Sequence, residues 1–223
     1  MNKNNFITRP ADQKIPLSAL LATLRVSEDD DEIETIERMR KEALDAARPL
    51  SLYAPFQPDI SGGIITLNGI RFSEPFVYEK LSDQKTVVIY VASCGAEADA
   101  WANSHKGFFE QFVAESMKQL ILGKAMEHLF KETAKFFDPE KNVSTINPGS
   151  LEMWPITSQI PLFEALGDVA GEIGVTLTES CLMIPNKSVS GIMFETAEHY
   201  ANCQLCPREK CEGRRAEYQP MWA

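Results

Sequence analysis

The sequence predicts an α+β fold, a mixed or antiparallel twisted sheet with flanking helices. Three observations lead there. Helical and strand-like segments follow one another without the regular strand-helix-strand rhythm of a doubly wound sheet. The run Thr86 to Ala92 is β-branched and nearly continuous in hydrophobicity, as in a strand held centrally in a sheet and covered on both faces. Residues 108–137 carry the longest helical pattern, with Val113, Met117, Leu120, Ile121 and Leu129 recurring at helical intervals.

A chain of 223 residues that is 44% hydrophobic buries on the order of 70% of the surface its unfolded form exposes, enough for one core without disulfide staples. Its 22 Lys and Arg against 32 Asp and Glu leave a net charge of −10. That excess disfavours nucleic acid and anionic membrane surfaces as partners, because such binding rests on cations that neutralise phosphates. There is no apolar run of membrane-spanning length, and Met1 to Asn5 lacks the apolar stretch of a secretory signal. A cytoplasmic protein is expected.

The elements follow in order. Ser27 to Arg48 reads as a helix, with Ser27 or Asp30 as N-cap, acids in the first turn, and Ile33, Ile36 and Ala43 on one face. The acidic run is a solvated helix start, or else a surface that selects a partner. Pro49, Pro55 and Pro58 then predict an irregular or extended connection. Asn68-Gly69 between Ile64 to Leu67 and Ile70 to Phe72 predicts a hairpin. The strand Thr86 to Ala92 ends at Ser93-Cys94-Gly95, and a helix starts at Ala96. Residues 108–137 form one core helix, or two broken near Gly123, whose Met and Phe stripe is packing. His128 on that helix is a satisfied histidine before it is a ligand. Asn147-Pro148-Gly149-Ser150 makes a turn, Ile160 to Ile173 a helix, and Thr176 to Met183 and Val189 to Phe194 two strands. Three segments result, within one compact domain: a helical 1–50, an α+β core over 51–200 and a cysteine-rich tail over 201–223.

The five cysteines are unevenly placed, with Cys203, Cys206 and Cys211 inside nine residues. In a reducing compartment such a cluster suggests a metal before disulfides. Three thiolates suit zinc or an iron-sulfur cluster, and both normally take four ligands. Cys94, on the loop after a core strand, is the first choice for the fourth; Cys181 and His199 are the alternatives. Arg208, Lys210, Arg214 and Arg215 surround the cluster, either to favour its reduced state and meet an acidic partner or simply as solubilising charge. No nucleophile elbow, Walker loop, dinucleotide fingerprint or zincin motif is present, so conventional enzyme chemistry is not visible.

From Asn147 onward the order of pieces becomes specific: Asn147-Pro148-Gly149-Ser150, Trp154-Pro155, Leu162-Phe163, Ile173 to Ser180, Met183-Ile184-Pro185 and Ser188-Val189-Ser190-Gly191. This order resembles the activation domain of cobalamin-dependent methionine synthase, over about residues 20 to 200, and the separate activation-domain proteins found beside corrinoid methyltransferases in anaerobes. The resemblance implies docking on a corrinoid-binding methyltransferase module and reductive reactivation of its cobalamin from Co(II) to Co(I). An electron-donor protein is a further implied partner. It places ligand contacts at Asn147, Pro148, Gly149, Ser150, Trp154, Ser188, Ser190, Gly191 and Met193. The family turn reads Arg-x-x-Pro-Gly-Tyr and binds S-adenosylmethionine. Here Thr145 stands for the Arg, Ser150 for the Tyr, and Met193 for the aromatic after Ser-x-Ser-Gly. Thr145 cannot supply a charged planar fork, which predicts that S-adenosylmethionine does not bind in the family's manner. The Cys206-Pro207 step and the implied redox task favour an iron-sulfur cluster, of the [4Fe-4S] type, over zinc at Cys94, Cys203, Cys206 and Cys211. The alternatives are a corrinoid-docking chaperone with a structural metal and an S-adenosylmethionine-binding activation domain with altered contacts.

Overall fold

A computed structural model describes residues 5–11, 13–211 and 214–219; the outer ends of the 1–50 and 201–223 segments lie outside the described residues. In chain order the elements are β1 (Phe6–Thr8), α1 (Leu17–Leu24), α2 (Ile33–Ala46), β2 (Leu50–Phe56), β3 (Asp59–Ser61), β4 (Ile64–Leu67) and β5 (Ile70–Phe72). They continue with α3 (Pro75–Leu81), β6 (Val87–Ser93), α4 (Ala96–Ser104), α5 (Phe108–Thr133), β7 (Asn142–Ile146), α6 (Gln159–Leu166), α7 (Val169–Ile173), β8 (Thr176–Leu177), β9 (Met183–Ile184) and β10 (Ser188–Thr196). The α+β class is as the sequence predicts.

Five strands form the main sheet in the order β1-β2-β6-β10-β7, every pair antiparallel. The alternation of strand side chains divides β6 between two cores. Val88, Tyr90 and Ala92 enter a cluster with α1, α2, α4 and α5, while Val87, Ile89 and Val91 enter one with β4, β5, α3, α6 and α7. Both faces of the sheet are covered, which is why Val87 to Ala92 reads as unbroken hydrophobicity. Leu20, Leu24, Ile36 and Met39 belong to the α5 core, so the N-terminal helices pack as part of the body. Lys118 on α5 is a polar pin in this layer. Its buried ammonium reaches Glu115 at 2.6 Å, Asp99 at 2.8 Å and Asn186 at 2.8 Å. Burial pulls its pKa down, but the two carboxylates outweigh it and hold the ammonium charged.

Several expectations are corrected. Of the irregular or extended alternatives the extended one holds, and Leu50 to Phe56 is a full strand of the sheet rather than a connection. Pro55 is tolerated because β1 pairs only with Ser51 to Tyr53, leaving β2 a local edge where a missing N–H costs little. The Ser27-to-Arg48 helix begins at Ile33, after a turn in which Asp30 accepts from the Glu32 amide. The long helix is unbroken at Gly123. The 160–173 segment is two helices, split at Gly167 (φ +92°) and restarted by Asp168, whose carboxylate caps Gly171 N–H at 2.9 Å. Residues 176–183 are two short strands around a turn in which Cys181 adopts φ +61°. The Asn68-Gly69 hairpin has both turn residues at positive φ, as a two-residue turn of this kind requires.

Candidate functional site

The site forms where β10, β7 and the C-terminal loop meet over the middle of β6. Asn147, just past β7, is its hub. The Nδ2 group donates to the Tyr90 hydroxyl and to the Ser190 carbonyl, both at 2.8 Å. Its Oδ1 accepts from Asn202 Nδ2 at 3.0 Å and Thr145 Oγ1 at 3.3 Å. One side chain therefore joins three strands to the tail. Gly191 makes this possible: a Cβ there would lie 2.5 Å from Asn147 Nδ2 and from the Ile146 carbonyl, and 2.9 Å from the Tyr90 hydroxyl. Burial pushes the Tyr90 phenol up to about 12, against the smaller opposing effect of the Asn147 bond. Tyr90 thus keeps its phenolic proton at neutral pH while its oxygen accepts from Asn147.

The loop from Asn202 onward is organised by an arginine. Arg214 Nη1 donates to the carbonyls of Cys203 (2.9 Å) and Ala216 (3.2 Å), and Nη2 to those of Cys206 (3.1 Å) and Arg208. Cys203 Sγ accepts from the Arg215 amide at 3.4 Å. That bond, aided by the charges of Arg215 and Arg214, holds the Cys203 thiol below its usual range. Cys206 is half-buried and Cys211 exposed. Among the described residues no group of three or more His, Cys, Asp or Glu is placed to hold a metal ion. Among the described residues Cys94, Cys203, Cys206 and Cys211 are not gathered into one centre. Cys94 is fully buried in the α5 core and its Sγ turns to the Gly95 carbonyl. Burial raises its thiol to about 12. Cys181 is buried and His199 exposed.

Two grooves flank the Asn147 turn. The larger, about 1060 Å³, is bordered by Gly149, Ser150 and Ile156 on one side and Cys206, Pro207 and Tyr218 on the other. The smaller, about 650 Å³, lies between α5 and the loop. Tyr90, Thr145 and Asn147 line it together with Gln119, Met126 and Phe130 of α5, and Arg214 and Arg215 belong to its border. Gly149 and Ser150 are exposed on the first groove, and Pro148 is half-buried beside them. Other predicted contacts lie elsewhere. Trp154 is 1% exposed in the α6 core and Met193 is fully buried against α5, accepting from Thr133 Oγ1 at 3.3 Å. Both side chains are packed in the cores on either side of the sheet. Ser190 is buried and donates to Gln159 Oε1 at 3.1 Å; Ser188 donates to Pro185 O at 2.8 Å and Ser93 Oγ at 2.9 Å. Sequence reasoning missed Tyr90, whose signal was a hydroxyl in an otherwise aliphatic strand. It also missed the structural part of Arg214, for which no local signal existed.

Residues 148–216 match a family model described as the vitamin B12 dependent methionine synthase, activation domain. The matched stretch is the C-terminal third of the chain. The match runs from the Pro148 turn through β10 and the cysteine loop to Ala216. Among solved structures, the MetH reactivation domain bound to AdoHcy is similar over 89% of this chain and 81% of that chain, with a TM-score of 0.57 and 16% identity. At that identity the likeness is one of fold. Comparison with curated proteins gave no match. No helix among the described residues is long and apolar enough to cross a membrane.

Proposed function

We propose that the protein is a reactivation factor that docks on a corrinoid-binding methyltransferase module and assists the return of its cobalt from Co(II) to Co(I). The family match over 148–216 carries this reading. The reaction consumes one electron, which an electron-donor protein supplies. S-adenosylmethionine then donates its methyl group to Co(I), leaving S-adenosylhomocysteine. The solved relative is described as bound to AdoHcy, and that supports an S-adenosyl ligand here despite Thr145, Ser150 and Met193 standing where the family has other residues. Met193 is removed from the question by its burial.

No electron step is assigned to the cysteine loop. A cluster at Cys203, Cys206 and Cys211 would need a fourth ligand, and Cys94 is buried in the α5 core. Iron and acid-labile sulfide on anaerobically purified protein test this directly. Stoichiometric iron and sulfide would establish a cluster-bearing loop; their absence leaves a docking module that relies on an external donor.

The function itself is tested by adding the protein to a Co(II) corrinoid methyltransferase with a low-potential one-electron donor and following loss of the Co(II) absorption band. Faster conversion, together with co-elution of the two proteins, is expected. Neither co-elution nor acceleration would overturn the reading.

A further inference from the structure

We infer that Cys203 and Cys206 form a reversible dithiol–disulfide pair that exchanges with small disulfides, with Cys203 as the attacking sulfur and Cys206 as the resolving one. Three observations point to it. The first is the backbone between them. Gln204, Leu205 and Cys206 each donate their N–H to the carbonyl three residues earlier, at 2.9, 3.1 and 3.3 Å, and the last of these bonds closes Cys206 onto Cys203. In such a run residues three apart stand in line. A turn closed in this way holds its end Cα atoms within about 7 Å, and disulfides span Cα separations of about 4.4–6.8 Å. A bridge therefore needs little backbone movement.

The second observation is a clamp that serves both ends of the turn. Arg214 donates to the Cys203 carbonyl at 2.9 Å and to the Cys206 carbonyl at 3.1 Å, so one guanidinium fixes the spacing of the pair and brings positive charge to it. The Arg215 amide donates to Cys203 Sγ at 3.4 Å, an N–H that binds a thiolate more strongly than a thiol. That donor assigns the attack to Cys203. The third is access. Cys203 and Cys206 are half-buried, whereas Cys94 and Cys181 are sealed in the cores. Cys206 borders the larger groove beside Pro207, and a small disulfide reaches the turn from there.

The exchange balances in two steps. The Cys203 thiolate attacks one sulfur of the disulfide, forming a mixed disulfide and expelling a thiolate that takes up the proton Cys203 gave away. Cys206, as thiolate, then attacks Cys203 Sγ, which closes the bridge and releases the second thiol. Two electrons and two protons pass from the protein to the small disulfide. The pair is independent of the single-electron step at cobalt, and transient bridges of this kind are the ones that reducing compartments contain.

The test is incubation of the full chain with glutathione disulfide, followed by mass mapping. Trypsin cuts after Arg208 and Lys210, so one peptide carries Cys203 and Cys206 and another carries Cys211. The first peptide is expected to lose two hydrogens and to regain them with dithiothreitol. Cys206→Ser should instead retain one glutathionyl group on Cys203, and Cys203→Ser should slow the release of glutathione by at least about tenfold. A bridge that includes Cys211, or separate adducts with no bridge, would overturn the pair. Reaction of Cys206 as fast in Cys203→Ser as in the unmodified protein would overturn the assignment of the attacking sulfur. Thiols shielded by bound iron or zinc in the purified protein would overturn the inference as a whole, and none of these results bears on the cobalt assay.

Discussion

Every residue of β6 from Val87 to Ser93 is buried, whereas among the described residues of 203–219 none is. The strand is fixed by apolar contact on two faces and by ladders to β2 and β10. The loop is fixed by one guanidinium, the Asn202 bond and a 2.6 Å bond from Gln219 N–H to the Gln204 carbonyl. Apolar burial is lost only when the whole domain opens, while a solvent-exposed set of hydrogen bonds can open alone. The two regions of the site therefore belong to different cooperative units, with Asn147 standing between them.

The largest expected effect on this contrast is Ile89→Ala, which empties a buried position on β6 and should cost about 2–5 kcal/mol in denaturant unfolding, with strand probes shifting and local opening of the loop unchanged. Gly191→Ala forces a methyl group against Asn147, Ile146 and Tyr90. It should cost about 1–3 kcal/mol, and a neutral outcome would mean that the Asn147 hub relocates at little expense. Asn147→Ala strips partners from the Tyr90 hydroxyl and the Ser190 carbonyl, for about 1–3 kcal/mol, and in hydrogen exchange should also loosen the loop. Arg214→Ala should move global stability by about 0.5 kcal/mol or less yet expose 203–219 to rapid proteolysis. Equal global losses in Arg214→Ala and Asn147→Ala would show the loop to be part of the core unit. The mildest probe is thiol counting: Cys203, Cys206 and Cys211 should react with a disulfide reagent in the native protein, and Cys94 and Cys181 only on unfolding.

The same contrast explains what the sequence discloses. The β6 run, the Asn68-Gly69 turn and the long α5 pattern are legible because burial imposes a period that one chain segment displays by itself. Leu50 to Phe56 is not, since Pro55 is acceptable only where β1 stops short. The 176–183 segment reads as one strand because its apolar residues conceal the positive φ at Cys181. At the site, the Pro148-Gly149 turn, the close approach at Gly191 and the family order of motifs are visible in sequence. The placement of Cys94 is visible too, though a strand end reads the same whether the thiol faces a loop or the core. Arg214 is the least legible residue, because its four acceptors are scattered from Cys203 to Ala216 and belong to no motif.

Asn202 and Tyr90 never touch, yet they share the two ends of one amide. A displacement of the tail has to stretch the Asn202 bond or rotate Asn147, and rotation withdraws Nδ2 from the phenol. Through Asn147 the position of the tail is thereby coupled to the polar centre of the sheet.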